Sequence, residues 1–178
     1  MQKQIRIFLV VVIITLFSCR DSIISSETQS LGKIVFESEY INYVWGYSHN
    51  GKYAGEDGKV YSYDLAKSNI QWEDNSDGYY SEDELISKYH HFDTLRSEIP
   101  NDTIQWAFNL ALLVDPNACS DTTRYGADMG SITNSVYLYR AEKKKFQKIV
   151  LDQEGDWRWH NTSEGAIELM RLIRRMEK

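Results

Sequence analysis

Cysteine and proline are each present only twice in 178 residues. Two cysteines cannot staple a disulfide scaffold, and so little proline excludes a proline-rich stalk. Basic residues are also short, 20 against 26 acidic, for a net charge of −6. That balance argues against a nucleic-acid surface or an anionic-lipid surface, because both gather Lys and Arg. Long apolar runs are missing as well. The longest, Ile7 to Phe17, is eleven residues broken only by Thr15. At about 1.5 Å per helical residue it falls far short of a hydrocarbon core of about 30 Å. No Gly-x-Ser-x-Gly elbow occurs, and no internal repeat. His90 and His91 are adjacent, so on a helix they point apart and cannot chelate one ion together.

Aromatic residues are plentiful: 12 Tyr, 5 Trp and 6 Phe. Tyr and Trp favour strands and half-buried surfaces, so a folded β-rich domain is expected. Residues 33–47 read as a strand with apolar groups on both parities, Ile34, Phe36 and Tyr40 on one, Val35, Ile41 and Tyr43 on the other. Asn50-Gly51 and Asp57-Gly58 read as hairpin turns, with Val60 to Tyr63 as the next strand. Ser81 with Glu84 three residues later is a capping box, and a helix presenting Leu85, Ile86 and Tyr89 should follow. Asp102 should cap a second helix, from Thr103 to about Val114. Val136 to Arg140 and Phe146 to Leu151 flank the charged turn at Glu142 to Lys145. Glu164 to Arg175 carries an amphipathic stripe of Ala166, Leu169, Met170, Ile173 and Met176. The expectation is an α+β domain: an antiparallel sheet of about five strands with about three helices on one face. A β-sandwich with peripheral helices is the alternative.

The N-terminus has a basic tip, Lys3 and Arg6, then the apolar run, then Leu16-Phe17-Ser18-Cys19. This is the layout of a secretory signal. It resembles the lipobox of bacterial lipoprotein precursors, with a branched apolar residue three places before the cysteine and a small one just before it. Phe17 departs from the small residue usual there. The resemblance covers residues 1–19 and implies diacylglycerol on the Cys19 sulfur, cleavage before Cys19, and an acyl chain such as palmitate on the new amino group. Two or three chains hold a protein firmly to a bilayer where one does not. The implied organisation is a signal peptide over 1–18, lipidated Cys19 and a Ser-rich tether over 19–31, and one globular domain over 32–178, similar in size to many small lipoproteins. Losing residues 1–18 removes two of the 20 basic and none of the 26 acidic residues, so the remaining 160 carry a net charge of −8. The twelve-residue tether has a reach of about 20 Å. The implied address is membrane-anchored and extracytoplasmic. Cys119, then the lone thiol, is expected to be a buried small hydrophobe.

Two constellations carry candidate chemistry. Residues 73–84 resemble an EF-hand calcium loop. Glu73, Asn75, Asp77, the Tyr79 carbonyl, Ser81 and Glu84 fall at its six ligand positions, and Gly78 at its sharp turn. Glu73 stands where Asp is usual, and no second loop pairs with it. No cofactor is expected beyond a calcium ion here, and the alternative is a solvated acidic loop leading into a capped helix. Trp157 and Trp159 share a parity and, if extended, present two indoles on one face, a platform for a sugar ring or a partner's side chain. With a tether, acidic charge and no catalytic spacing, the sequence points to a binding or interaction module such as an envelope accessory, inhibitor or immunity-type protein. Its partners would be the bilayer through Cys19 and a protein or glycan, with no nucleic acid. A tethered hydrolase acting on cell-wall or glycan material is the alternative.

Overall fold

A computed structural model describes residues 31–68, 71–89 and 94–176. Cys19, the rest of the N-terminal segment, His90 and His91 lie outside the described residues. Among the described residues nine strands form one antiparallel sheet. In chain order they are β1 (Ile34–Asn42), β2 (Ser48–Ala54), β3 (Lys59–Asp64), β4 (Tyr79–Tyr80), β5 (Thr94–Glu98), β6 (Thr123–Arg124), β7 (Ser131–Arg140), β8 (Lys145–Gly155) and β9 (Trp157–His160). Their spatial order is β5-β3-β2-β1-β7-β8-β9-β6, with β4 pairing to the first part of β8. The helices among the described residues are α1 (Glu82–Tyr89), α2 (Asn101–Ala111) and α3 (Ala166–Met176).

The α+β class stands, with two corrections. The sheet has nine strands where five were expected. The helices are not on one face, and a single sheet takes the place of a sandwich. Ile34, Phe36, Ala54, Val60, Val136 and Ile149 pack on one face against α2 and α3, which contribute Ile104, Ala107, Leu169 and Ile173. Val35, Tyr53, Tyr63, Tyr137 and Phe146 pack on the other against α1, through Leu85 and Tyr89, and against Tyr80. Both parities of β1 carry apolar groups because both of its faces are covered.

Local chemistry explains most boundaries. Ser81 and Glu84 form the reciprocal cap: Glu84 N–H donates to Ser81 Oγ at 3.2 Å, and Ser81 N–H donates to Glu84 Oε2 at 2.6 Å. Gly58 turns β2 into β3 at φ 75°, a left-handed position that favours glycine. Asn50-Gly51, read as a turn, lies inside β2. The β1–β2 hairpin turns at residues 43–47 instead. Gly51 serves contact with a distant residue. It pairs with Glu39 on one side and Tyr63 on the other, and a Cβ there would stand 2.7 Å from the Tyr63 hydroxyl. The missing side chain lets Tyr63 reach across β2 to β1. Strand β5 escaped sequence reading because Thr94–Glu98 is exposed throughout and shows no apolar alternation. Leu31, assigned to the tether, is buried with the aromatic cluster, and its N–H donates to Glu82 Oε1 at 2.9 Å.

Candidate functional site

Three places concentrate chemistry. The first lies inside the domain. Glu37 and Glu39 project from β1 on the side of Val35 and are fully or almost fully buried. Lys88 of α1, itself buried, puts Nζ 2.7 Å from Glu37 Oε1 and 2.7 Å from Glu39 Oε1. Its ammonium is flanked by the rings of Tyr63, Trp72 and Tyr89, with centroids 5.3–5.7 Å away. Tyr63 donates to Glu37 Oε1 at 2.7 Å, and Tyr137 donates to Glu37 Oε2 at 2.8 Å. His49 Nε2 lies 2.6 Å from Glu39 Oε1, while His49 Nδ1 faces the Tyr47 hydroxyl at 3.1 Å. This arrangement fits an imidazole protonated at Nε2 that accepts from Tyr47. Lys148 of β8 closes the open side, 3.7 Å from Glu39 Oε2 and 2.8 Å from Asp74 at the rim.

Burial alone would raise the Glu39 carboxyl. Lys88, the His49 hydrogen bond and Lys148 outweigh burial and hold it well below the usual carboxylate range. Burial alone would lower the Lys88 ammonium, but Glu37 and Glu39 raise it above the ordinary lysine range. Burial, and then the charge of Glu37, push the Tyr63 and Tyr137 phenols well above theirs. The carboxylates of Glu37, Glu39 and Asp74 thus share the ammoniums of Lys88 and Lys148, beside a shell of phenols. Glu37 is bonded on both oxygens and Glu39 on Oε1, with Lys148 3.7 Å from its Oε2, which suits holding the sheet against α1.

The second place is the 73–84 loop. Glu84 turns both oxygens inward, Oε2 to Ser81 and Oε1 to the Asn75 amide nitrogen at 3.1 Å. The same Asn75 Nδ2 donates to the Tyr79 carbonyl at 2.8 Å. Asp77 Oδ1 accepts from the Tyr79 N–H at 3.0 Å, and Glu73 is exposed. The Ser81 hydrogen bonds are the main influence holding the Glu84 carboxyl low. An amide N–H group therefore stands between two of the oxygens a calcium ion would need. No group of three His, Cys, Asp or Glu side chains able to hold a metal is found among the described residues.

The third place is the end of the sheet where β1 runs into β2. Trp45 is 81% exposed and Tyr43 67%, with Val44 between them. These side chains are held in place. Asn42 Oδ1 accepts from the Val44 N–H at 2.8 Å, and Asn42 Nδ2 donates to the Tyr40 hydroxyl at 3.0 Å. The Trp45 indole N–H donates to the Asp128 carbonyl at 3.0 Å, pinning the hairpin to the 125–130 loop. Tyr43 stacks on Tyr47 with centroids 5.6 Å apart. Asp156 ties in the neighbouring turn: its carboxylate accepts from Met129 N–H and its carbonyl from Tyr125 N–H, both at 2.8 Å. Tyr125 and Trp157 are exposed nearby. The Arg158 guanidinium lies 3.4 Å from the Tyr125 ring centroid, and that of Arg124 5.9 Å from the Trp157 ring centroid.

No family model, curated protein or solved structure matches this chain.

Trp157 and Trp159 lie on extended β9 and share a face, outside both core clusters. Trp157 is the more open, whereas Trp159 is half-buried and donates to Gln153 Oε1 at 3.3 Å. The pair is thus split: Trp157 stands beside the aromatic end, and Trp159 lines a groove with Met170 and Arg174 of α3. Cys119 is a correction. It is exposed, in a bridge to Asn161 beside the Asp115–Pro116 turn. Sequence reasoning missed the buried ions. The available signal for the ions was Glu37 and Glu39 sharing the parity of Val35 on a strand with two apolar faces, since buried carboxylates require partners.

Proposed function

We propose that this chain is a lipid-anchored, extracytoplasmic binding module that presents the aromatic end of its sheet to an envelope partner. The exposed but pinned Trp45, with Tyr43 and Val44 beside it, is the observation that carries the reading. Exposed aromatic side chains held by hydrogen bonds lose little conformational freedom on binding, and Trp and Tyr dominate binding hot spots. The position fits a tether. Leu31, where the chain enters the domain, lies at the opposite end of β1, and nine strand residues span about 30 Å. An anchor through Cys19 would leave the aromatic end pointing away from the attachment point. None of the helices among the described residues is long and apolar enough to cross a membrane. Calcium at residues 73–84 is the cofactor this reading admits, on condition that Asn75 gives way; titration calorimetry with calcium tests it.

Two measurements test the whole proposal. In detergent-phase partition, the parent should enter the detergent phase and Cys19→Ser the aqueous phase. With a photo-crosslinking aromatic residue replacing Trp45 in native envelopes, a discrete adduct is expected that is absent when the crosslinker replaces Glu142, in the turn between β7 and β8. Equal partition of Cys19→Ser and parent would remove the anchor, and equal crosslinking from positions 45 and 142 would remove the binding surface.

A further inference from the structure

The cover that α2 and α3 lay over their face of the sheet stops part-way along the strands. Under the helices runs the apolar row Val60–Ala54–Phe36–Val136. Toward the aromatic end the next row is polar, Thr94–Ser62–Lys52–Ser38, followed by Asp64–Asn50–Tyr40–Ile132. These two rows floor a cavity of about 540 Å³.

Its charge runs against that of the chain. Lys52, Lys67 and Arg96 border it, in a protein of net charge −6. Two carboxylate residues also border it. Asp64 is engaged by its own turn, by Lys67 Nζ at 2.9 Å and by the Lys67 N–H at 3.1 Å. Glu39 turns its carboxylate through to the opposite face, onto Lys88 and His49. Arg96 Nε donates to Ser62 Oγ at 2.9 Å, which fixes the guanidinium over the floor. No carboxylate among the described residues lies within ion-pair distance of Arg96. Lys52 Nζ donates to the Met176 carbonyl at 2.8 Å, which anchors it at the inner wall. Ser62 lies between Arg96 and Lys52, Ser38 lies beyond Lys52 on β1, and the neighbouring pair Tyr40 and Ile132 offers an apolar strip.

We propose that this cavity binds an acidic sugar unit, an anionic group on a polyhydroxylated ring. The guanidinium of Arg96 takes the carboxylate or phosphate as a charge-assisted pair. The Ser62 hydroxyl meets a ring hydroxyl, and the ring lies along Tyr40 and Ile132. Positive charge focused in a cavity of an acidic protein favours an anion over a neutral sugar. The inference rests on the binding-module reading and names a ligand class for it.

Titration of the full-length protein in detergent, followed by calorimetry and by amide NMR shifts, tests the site. The probes are glucuronate, glucose 6-phosphate, glucose and inorganic phosphate. One of the two acidic sugars should saturate with shifts at Ser62, Lys52 and Arg96, weaken as salt rises, and exceed both glucose and phosphate. The uronate and phosphate arms distinguish which anionic group is meant. Arg96→Gln should weaken binding at least about tenfold, as loss of one charge-assisted contact does, with an unchanged melting temperature because β5 is exposed. Asp64→Asn should tighten it. Failure of both acidic sugars to saturate, equal binding of glucose, or unchanged affinity in Arg96→Gln would overturn the proposal. Crosslinking from position 45 reports on the aromatic end alone. If it persists while the sugars fail, the binding module stands and this cavity is not its ligand site.

Discussion

The interior beneath α1 and the aromatic end of the sheet invert the usual distribution of side chains. Inside lie two glutamates and a lysine, and at the surface lie Trp45, Tyr43 and Val44. Both arrangements are secured by hydrogen bonds, to opposite ends. Every charge in the interior has an opposite charge within 2.7–3.7 Å and a shell of phenols, because an unpaired ion there would be unstable. At the aromatic end the bonds hold apolar surface out in water, where folding gains nothing from it. The first set of bonds serves stability; the second keeps an apolar surface presented to solvent, where the proposed partner would bind.

Removing Lys88 should have the largest effect. Lys88→Met leaves Glu37 and Glu39 buried together without their ammonium, and urea unfolding should show a loss of about 3–5 kcal/mol. Part of that deficit should recover on mild acidification, because unpaired buried carboxyls take up protons readily. Gly51→Ala should come next. Its methyl would meet the Ser38 carbonyl and the Tyr63 hydroxyl, and a loss of about 1–3 kcal/mol is expected, with near-ultraviolet dichroism reporting a displaced Tyr63.

Acid should act more gently and with a definite sign. Glu39 is held low in the fold, so its contribution is complete above about pH 4.5, its value without the fold, and is lost as pH falls through the lower folded value. Glu39→Gln should flatten that acid limb of the unfolding midpoint, and an equally steep limb would reassign the ion. The smallest effect belongs to the other region. Trp45→Ser should change unfolding free energy by less than about 0.5 kcal/mol, as surface changes do, while abolishing the crosslink formed from a photo-crosslinking residue placed at the exposed Tyr43.

What the sequence disclosed follows the range of the interactions. The Ser81–Glu84 cap, the Asp57-Gly58 turn, the β7–β8 hairpin and the buried stripe of α3 depend on residues within a few positions, and all were legible. Gly51 was misread because its reason lies twelve residues on, in Tyr63. Strand β5 has no pattern because it buries nothing. The ion cluster joins β1, β2, α1 and β8, and such convergence becomes visible only once the register of the sheet is known. At the aromatic end residues 43–47 read as the last part of a long strand. Only the position of the true turn, at 43–47, shows that Trp45 faces water.

The most direct check is urea unfolding of Lys88→Met and Trp45→Ser, measured side by side against the parent. A gap of about 3 kcal/mol is expected, with Lys88→Met the unstable variant and Trp45→Ser close to the parent. Equal losses, or a greater loss in Trp45→Ser, would contradict the division between a charged interior that holds the fold and an aromatic end that contributes little to it.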